Sequence, residues 1–116
     1  MTAELDFEIR LNHFFHYKLI KVKGEFITLE GYEDFRFFAH HVYDVDTLQP
    51  ISDTWCISEL TTGASIAVAD SVPDCISIGL CNLNKVGAAG FRVKLQKQLQ
   101  LTSPLNQHHS CKKAQQ

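Results

Sequence analysis

The last 42 residues of this 116-residue chain, from Cys75 to Gln116, contain no aspartate or glutamate. They carry six basic residues, whereas the first 74 residues carry five basic and all 13 acidic residues. The charge is therefore −8 before this boundary and +6 after it, within a net charge of −2. Such sorting provides either a basic face for an acidic partner or two parts that neutralise each other on folding. The near-neutral total argues against wholesale coating of nucleic acid.

The sequence also lacks any long apolar run and any dense framework of cysteines. No run of apolar residues exceeds four, whereas a membrane-spanning helix needs about 20. The first residues, MTAELDFEIR, carry acids where a secretory signal has a basic and then an apolar region. The four cysteines are few enough that reduced thiols are the default. We therefore expect a soluble, cytoplasmic protein with no membrane partner.

Aromatic residues are scarce in the second half of the chain. Of the 12 Phe, Tyr and Trp residues, only Phe91 follows Trp55. The front part should therefore set the bulk of the core, and the back part should supply Leu, Ile, Val and Ala to pack on it. With 45% hydrophobic and 21% charged residues, a chain of this length is expected to form one globular domain.

Alternating apolar residues predict strands in the first 70 residues. The predicted strand segments are 5–11, 17–22 and 26–29 (the last two joined around Gly24), FRFFAHHVYD, 55–60 and 65–69. Residues 44–54 read as a polar loop containing Pro50, and residues 61–64 as a hairpin turn with Gly63 at positive φ. In FRFFAHHVYD, Phe37 and Ala39 should share one face of the sheet, with Phe38 on the other.

Helix signals follow the last strand. Ser71 and Asp74 form a pair that resembles a capping box, Pro73 suits the first turn, and Gly87 is a plausible C-cap. A second helix is predicted from Ala88 to about Gln100, because Phe91, Leu95 and Leu99 lie four apart. A strand is the alternative there, since Phe91, Val93 and Leu95 also alternate.

These elements predict an α+β fold: an antiparallel sheet of about five strands with two C-terminal helices packed on one face. Residues 1–104 should form a single domain. Pro104 should end regular structure, and residues 105–116 (LNQHHSCKKAQQ) should form a flexible tail.

No catalytic motif accompanies this fold. The histidines come as the pairs His13/His16, His40/His41 and His108/His109, and none matches the zinc motif H-E-x-x-H. Cys75 lies near a helix N-terminus, which lowers a thiol pKa, but the neighbouring Asp74 opposes that effect. We expect no catalytic residue, no metal and no cofactor.

An enzyme that depends on a metal or small ligand is the first alternative. It requires His13 or His16 to converge with His40, His41 or Cys56 in one pocket.

A nucleic-acid-binding accessory protein is the second alternative. Arg92, Lys94 and Lys97 lie off the apolar stripe of the last helix, where they would contact phosphates. The sequence contains no RNP-like aromatic motif and no helix-turn-helix signal, so a nucleic-acid partner is not expected.

Residues 55–95 resemble a pattern found in small orphan proteins of phages and other mobile elements. The strand WCISELTTG turns at Thr-Gly into SIAVADS, a capped helix follows, and NLNKVGAAGF resembles the group's helix continuation. The match covers about a third of the chain. The chain departs from the pattern where VPDC replaces a first helical turn rich in Lys and Glu. The resemblance implies a protein that binds a protein partner, as do members that inhibit host defence systems, and it carries over no functional residue.

The main hypothesis is therefore a small, non-enzymatic protein-binding module that acts by occupying a partner's surface. Phe14, Phe15 and Phe38 would form an exposed aromatic patch, and Arg92, Lys94 and Lys97 would form the basic part of the partner-binding surface. The competing interpretation is that the three phenylalanines belong to the core of a two-sided sheet or are buried in a homodimer.

Overall fold

The computed structural model describes the backbone of residues 4–13 and 16–109 and the side chains of residues 4–11 and 18–109. Its elements are β1 (Leu5–His13), β2 (His16–Ile27), β3 (Phe37–Tyr43), β4 (Pro50–Glu59), β5 (Ser65–Ala69) and α1 (Val72–Leu101). The five strands form one antiparallel sheet in the order β1-β2-β3-β4-β5. This arrangement confirms the predicted α+β class. Within the described ranges, no helix is long and apolar enough to cross a membrane.

The strand β2 is continuous through Gly24, so the prediction of two strands joined there was wrong. Gly24 pairs with Leu5 on one side and with His40 on the other. A Cβ atom at this position would collide with the carbonyl oxygen of Ala39 on β3. The glycine therefore allows two strands to approach closely and does not make a turn.

The loop before β4 is shorter than predicted. Residues 50–54 were expected to lie in a loop, but β4 begins at Pro50, which pairs with Tyr43. Proline is tolerated as the first residue of a strand, where a missing N–H donor breaks no interior ladder. The hairpin turn between β4 and β5 matches the prediction, with Gly63 at φ 72°.

The sheet buries side chains on both faces. On the α1 side, Phe37, Ala39 and Ile57 pack with Leu83 and Phe91 of the helix. On the face away from α1, a second cluster contains Phe7, Ile9, Val22, Phe38 and Leu60. The predicted alternation of Phe37 and Ala39 against Phe38 is confirmed, because successive strand residues point to opposite faces.

The helix α1 begins and breaks at the residues that the sequence indicated. The Ser71 hydroxyl accepts a hydrogen bond from the Asp74 backbone N–H at 3.2 Å, with Pro73 in the first turn. Gly87 has non-helical angles (φ 76°, ψ 165°), which divide α1 into two helical parts. Residues 88–100 are helical, so the helix prediction is confirmed and the strand alternative is not.

Residues 105–109 pack against the sheet, in contrast to the flexible tail predicted from residue 105. Asn106 is fully buried; its Oδ1 accepts from the Glu8 backbone N–H at 2.6 Å, and its Nδ2 donates to the Leu60 carbonyl at 2.7 Å. The His109 ring stacks on Phe7 at a centroid distance of 4.8 Å. This segment therefore covers the outer edge of β1 and joins it to the end of β4. Residues 110–116 lie outside the described residues.

Candidate functional site

A groove lies between the two helical parts of α1 and the β4–β5 hairpin. Its volume is about 370 Å³. Its apolar lining includes the buried Leu83 and Phe91 and the half-buried Ile66 and Leu95, and the exposed Lys94 is its single charged lining residue among those described. We call this feature the α1–β5 groove. Its shape and charge suit an apolar side chain of a ligand that carries a negative charge next to that side chain.

Two local features of α1 shape the groove. Gly79 brings the first helical part close to β5, since a Cβ atom there would lie 3.1 Å from Cδ1 of Ile66. Asn82 fixes that approach by donating from Nδ2 to the Ile66 carbonyl at 2.8 Å. The break at Gly87 then separates Val86 from Phe91, so that both helical parts contribute walls.

The basic residues predicted to bind a partner are exposed on the second helical part of α1, but they differ in their neighbours. The Arg92 guanidinium lies 4.9 Å from the ring centroid of Phe35 and 3.7 Å from a carboxylate oxygen of Asp34. Lys94 and Lys97 form no ion pair within the described part of the chain. Lys94 lines the groove and Lys97 does not. Arg92 is thus held toward the loop between β2 and β3, whereas Lys94 is available at the groove.

The acidic and basic parts of the sequence lie in different layers of the fold. The acidic residues of the described part lie in the sheet, its loops and the first turn of α1, where Asp74 is the last of them. Every later charged residue on α1 is basic. The basic side of the helix therefore faces solvent without an acidic residue of α1 beside it.

The predicted aromatic patch does not form as expected. Phe38 is fully buried, and its ring stacks on Phe7 at a centroid distance of 4.2 Å. It belongs to the core of a two-sided sheet, which was the competing interpretation, and we remove it from the partner-binding set. Phe14 and Phe15 lie outside the described residues.

The histidines and cysteines come together only in part. His40 and Cys56 line one pocket on the face away from α1, whereas the His41 ring lies 3.7 Å from the Trp55 ring centroid. The side chains of His13 and His16 lie outside the described set. Among the described residues, no group of three or more His, Cys, Asp or Glu side chains has the geometry to hold a metal ion.

Cys75 has the properties of a core residue. Its side chain is fully buried and its thiol donates to the Trp55 carbonyl at 3.2 Å. Burial raises the pKa of the Cys75 thiol, and the nearby Cys56 adds to the effect. A raised pKa disfavours the thiolate, which is the nucleophilic form.

No protein-family model, curated protein or solved structure matches this chain. The resemblance of residues 55–95 to small proteins of mobile elements therefore stays a prediction. Lys94 could be selected from the helical spacing alone, but the groove walls at Thr62 and Ala64 could not, because they depend on how the hairpin turn sits against α1.

Proposed function

We propose that this protein is a non-enzymatic binding protein whose α1–β5 groove takes an apolar side chain from an acidic protein segment. The observation that carries the proposal is the position of Lys94, an exposed ammonium group at an otherwise uncharged, largely apolar groove. Fully burying a Leu- or Phe-sized side chain stabilises a complex by about 1.5–3 kcal/mol. The groove therefore supplies an anchor point, and Lys94 selects the charge beside it.

The charge of α1 supports an acidic partner over a neutral or basic one. Lys85, Lys94 and Lys97 are exposed, and no acidic residue follows Asp74 in the chain. Complementary charge mainly increases the rate of association and rejects partners of the wrong sign. An acidic segment would meet this basic side first and then place its apolar residue in the groove.

Occupying a surface is the mode of action that fits such a site. The inhibition of a host defence system, which the resemblance implies, is one form of this mode: the protein would cover an acidic surface that another molecule needs. We place the interaction in the cytoplasm. Cys56, Cys75 and Cys81 are free thiols, which supports a reducing compartment.

The proposal is tested with two short acidic peptides of equal charge, one with a central phenylalanine and one with serine in its place. Fluorescence anisotropy with the full chain should give tighter binding of the phenylalanine peptide. Lys94→Glu should weaken that binding about fivefold, since a rim charge contributes about 1 kcal/mol. The matched charge reversal Lys18→Glu, at an exposed position on β2, should leave it unchanged.

Three outcomes would overturn the proposal. Equal affinity for the two peptides would show that the groove does not bind the phenylalanine side chain. Tighter binding of single-stranded DNA than of the phenylalanine peptide, with a steep salt dependence, would establish the nucleic-acid alternative. A homodimer that dissociates on Lys94→Glu substitution would assign the same surface to a second copy of the chain.

A further inference from the structure

A second concavity lies on the sheet face away from α1, opposite the α1–β5 groove. Its volume is about 200 Å³. Its apolar walls come from three different strands: Ile9 and Leu11 of β1, Val42 of β3 and Val68 of β5. Val68 is 51% exposed, so an apolar side chain stands where the concavity meets solvent. We call it the open-face pocket.

Two polar residues of the open-face pocket, His40 and Ser58, are buried and have fixed hydrogen-bond roles. Nδ1 of His40 lies 2.7 Å from the His41 carbonyl oxygen, which can only accept, so Nδ1 carries the proton. Nε2 of His40 must then accept the hydroxyl proton of Ser58, at 2.9 Å. His40 is 3% exposed and Ser58 is 2% exposed. The Ser58 hydroxyl therefore donates its proton to His40, and the lone pairs of Ser58 Oγ can accept a hydrogen bond from a ligand.

Further neutral groups extend this network along the pocket. Sγ of Cys56 lies 3.6 Å from Oγ of Ser58 and 3.1 Å from Oγ of Ser65. Ser65 is exposed and its hydroxyl can rotate toward a ligand. The pocket therefore offers an acceptor at Ser58 and a donor at Ser65, above an apolar wall.

The electrostatics of the pocket favour an uncharged occupant. Among the described residues that line it, none is acidic, and the one cation, Arg10, donates to the Thr62 and Ser103 carbonyls at 2.7 Å each. Burial lowers the pKa of His40, which keeps the imidazole neutral near pH 7. An ionic ligand would lose its hydration without gaining an opposite charge.

We propose that the open-face pocket binds a small, uncharged molecule with an apolar body and one hydroxyl or amide group, which donates to Oγ of Ser58 and accepts from Ser65. Pockets of this kind place a few polar groups in an apolar surface, so that shape gives affinity and hydrogen bonds give orientation. The site is distinct from the α1–β5 groove, because the two concavities lie on opposite faces of the sheet and, among the described lining residues, share only Ser65.

Four probes of similar shape test the proposal on the full chain: benzyl alcohol, toluene, benzoate and benzylammonium. Ligand-observed NMR should show benzyl alcohol binding about 30-fold more tightly than toluene, the ratio expected for two hydrogen bonds of about 1 kcal/mol each. Benzoate and benzylammonium should bind more weakly than toluene. Ser58→Ala removes one of the two hydrogen bonds and should weaken binding of benzyl alcohol about fivefold. Ser52→Ala, at an exposed position of β4, should leave that binding unchanged.

A second variant keeps the test decisive if Ser58→Ala fails to fold. Val68→Trp places a large ring at the mouth of the pocket, at a half-exposed position that takes no part in the His40–Ser58 hydrogen bond. It should abolish binding of benzyl alcohol and leave binding of the acidic peptide unchanged. Three results would overturn the proposal. They are tighter binding of benzoate or benzylammonium than of benzyl alcohol, binding of benzyl alcohol by Val68→Trp as strong as by the wild type, and no binding of any probe at millimolar concentration.

Discussion

Oε1 of Glu59 accepts hydrogen bonds from both the backbone N–H and the hydroxyl of Thr62, each at 2.8 Å. The other carboxylate oxygen, Oε2, accepts from the backbone N–H of Thr61 at 3.0 Å. Glu59 is 3% exposed, so this acid is a buried structural residue. It holds the β4–β5 turn in the shape that places Thr62 and Ala64 at the α1–β5 groove.

Glu59→Gln should destabilise the protein although it preserves size and shape. Each carboxylate oxygen faces a backbone N–H, so in either orientation the glutamine NH₂ group would meet a donor and leave it unsatisfied. An unsatisfied buried donor costs about 1–3 kcal/mol. Urea unfolding should show this loss, and Glu30→Gln at an exposed position should show almost none. Equal midpoints for the two variants would contradict the role assigned to Glu59.

The sequence identified those parts of the fold that depend on local patterns. The cap at Ser71, the break at Gly87 and the alternation of Phe37 with Phe38 all follow from spacing along one segment. The break predicted at Gly24 was wrong, because the sequence does not distinguish a glycine that lets two strands approach closely from a glycine in a turn. Only its neighbour Ala39, on another strand, distinguishes the two.

The site was only partly predictable for the same reason. The spacing of α1 placed Lys94 on the solvent side, and the structure agrees. Nothing local marks Ala64 as a groove wall. Nothing marks Asn106 as a core residue either, because its partner Glu8 lies 98 residues away.

Asn106→Ala should destabilise the fold, because the amide side chain joins β1 to the end of β4. The substitution removes the bonds to the Glu8 backbone N–H and to the Leu60 carbonyl. Two buried polar groups left unsatisfied cost about 2 kcal/mol or more. Thermal unfolding should report the loss. Gln107→Ala, the neighbouring exposed amide, is the control. A truncation after residue 104 that is as stable as the full chain would refute the docking of residues 105–109.

Two glycine substitutions should have opposite effects. Gly24→Ala forces a Cβ atom against the Ala39 carbonyl, and overpacking of this kind costs about 1–3 kcal/mol. At Gly90, inside the second helical part of α1, the nearest atom to an added Cβ is Cβ of Val86 at 3.5 Å, an ordinary contact. Gly90→Ala should therefore stabilise the protein by about 0.5–1 kcal/mol through helix propensity. Denaturant midpoints that shift in the same direction for both variants would contradict this account.

Stability should decrease as the pH falls below about 6.5, in part because of His40. Burial, the largest effect, lowers the pKa of folded His40 below its ordinary value of 6.5. In the pH window below 6.5 the unfolded chain binds a proton that the folded chain does not, so protonation favours unfolding. One such proton changes the free energy of unfolding by at most about 1.4 kcal/mol per pH unit. His40 is hydrogen-bonded to Ser58 and to the His41 carbonyl. The other polar residues that line its pocket among those described are Arg10, Tyr43, Cys56 and Ser65.

His40→Asn should flatten that pH dependence. Urea titrations of the wild type and the variant between pH 8 and pH 5 measure the difference in slope, which cancels the contribution of the other titrating groups. An unchanged slope would mean that His40 takes up a proton in the folded protein as readily as in the unfolded chain.

The most direct test of the central claim is to fill the α1–β5 groove. Ala64 is exposed and lines the groove, and its backbone N–H and carbonyl are both engaged within the turn, so Ala64→Tyr adds bulk without removing a hydrogen bond. The measurement is the dissociation constant of the acidic phenylalanine peptide for Ala64→Tyr and for the control Ser52→Tyr on β4. We predict that Ala64→Tyr weakens binding by about tenfold or more, as loss of an apolar anchor requires, and that Ser52→Tyr has no effect. Equal affinity of the two variants and the wild type would contradict the assignment of the groove as the binding site.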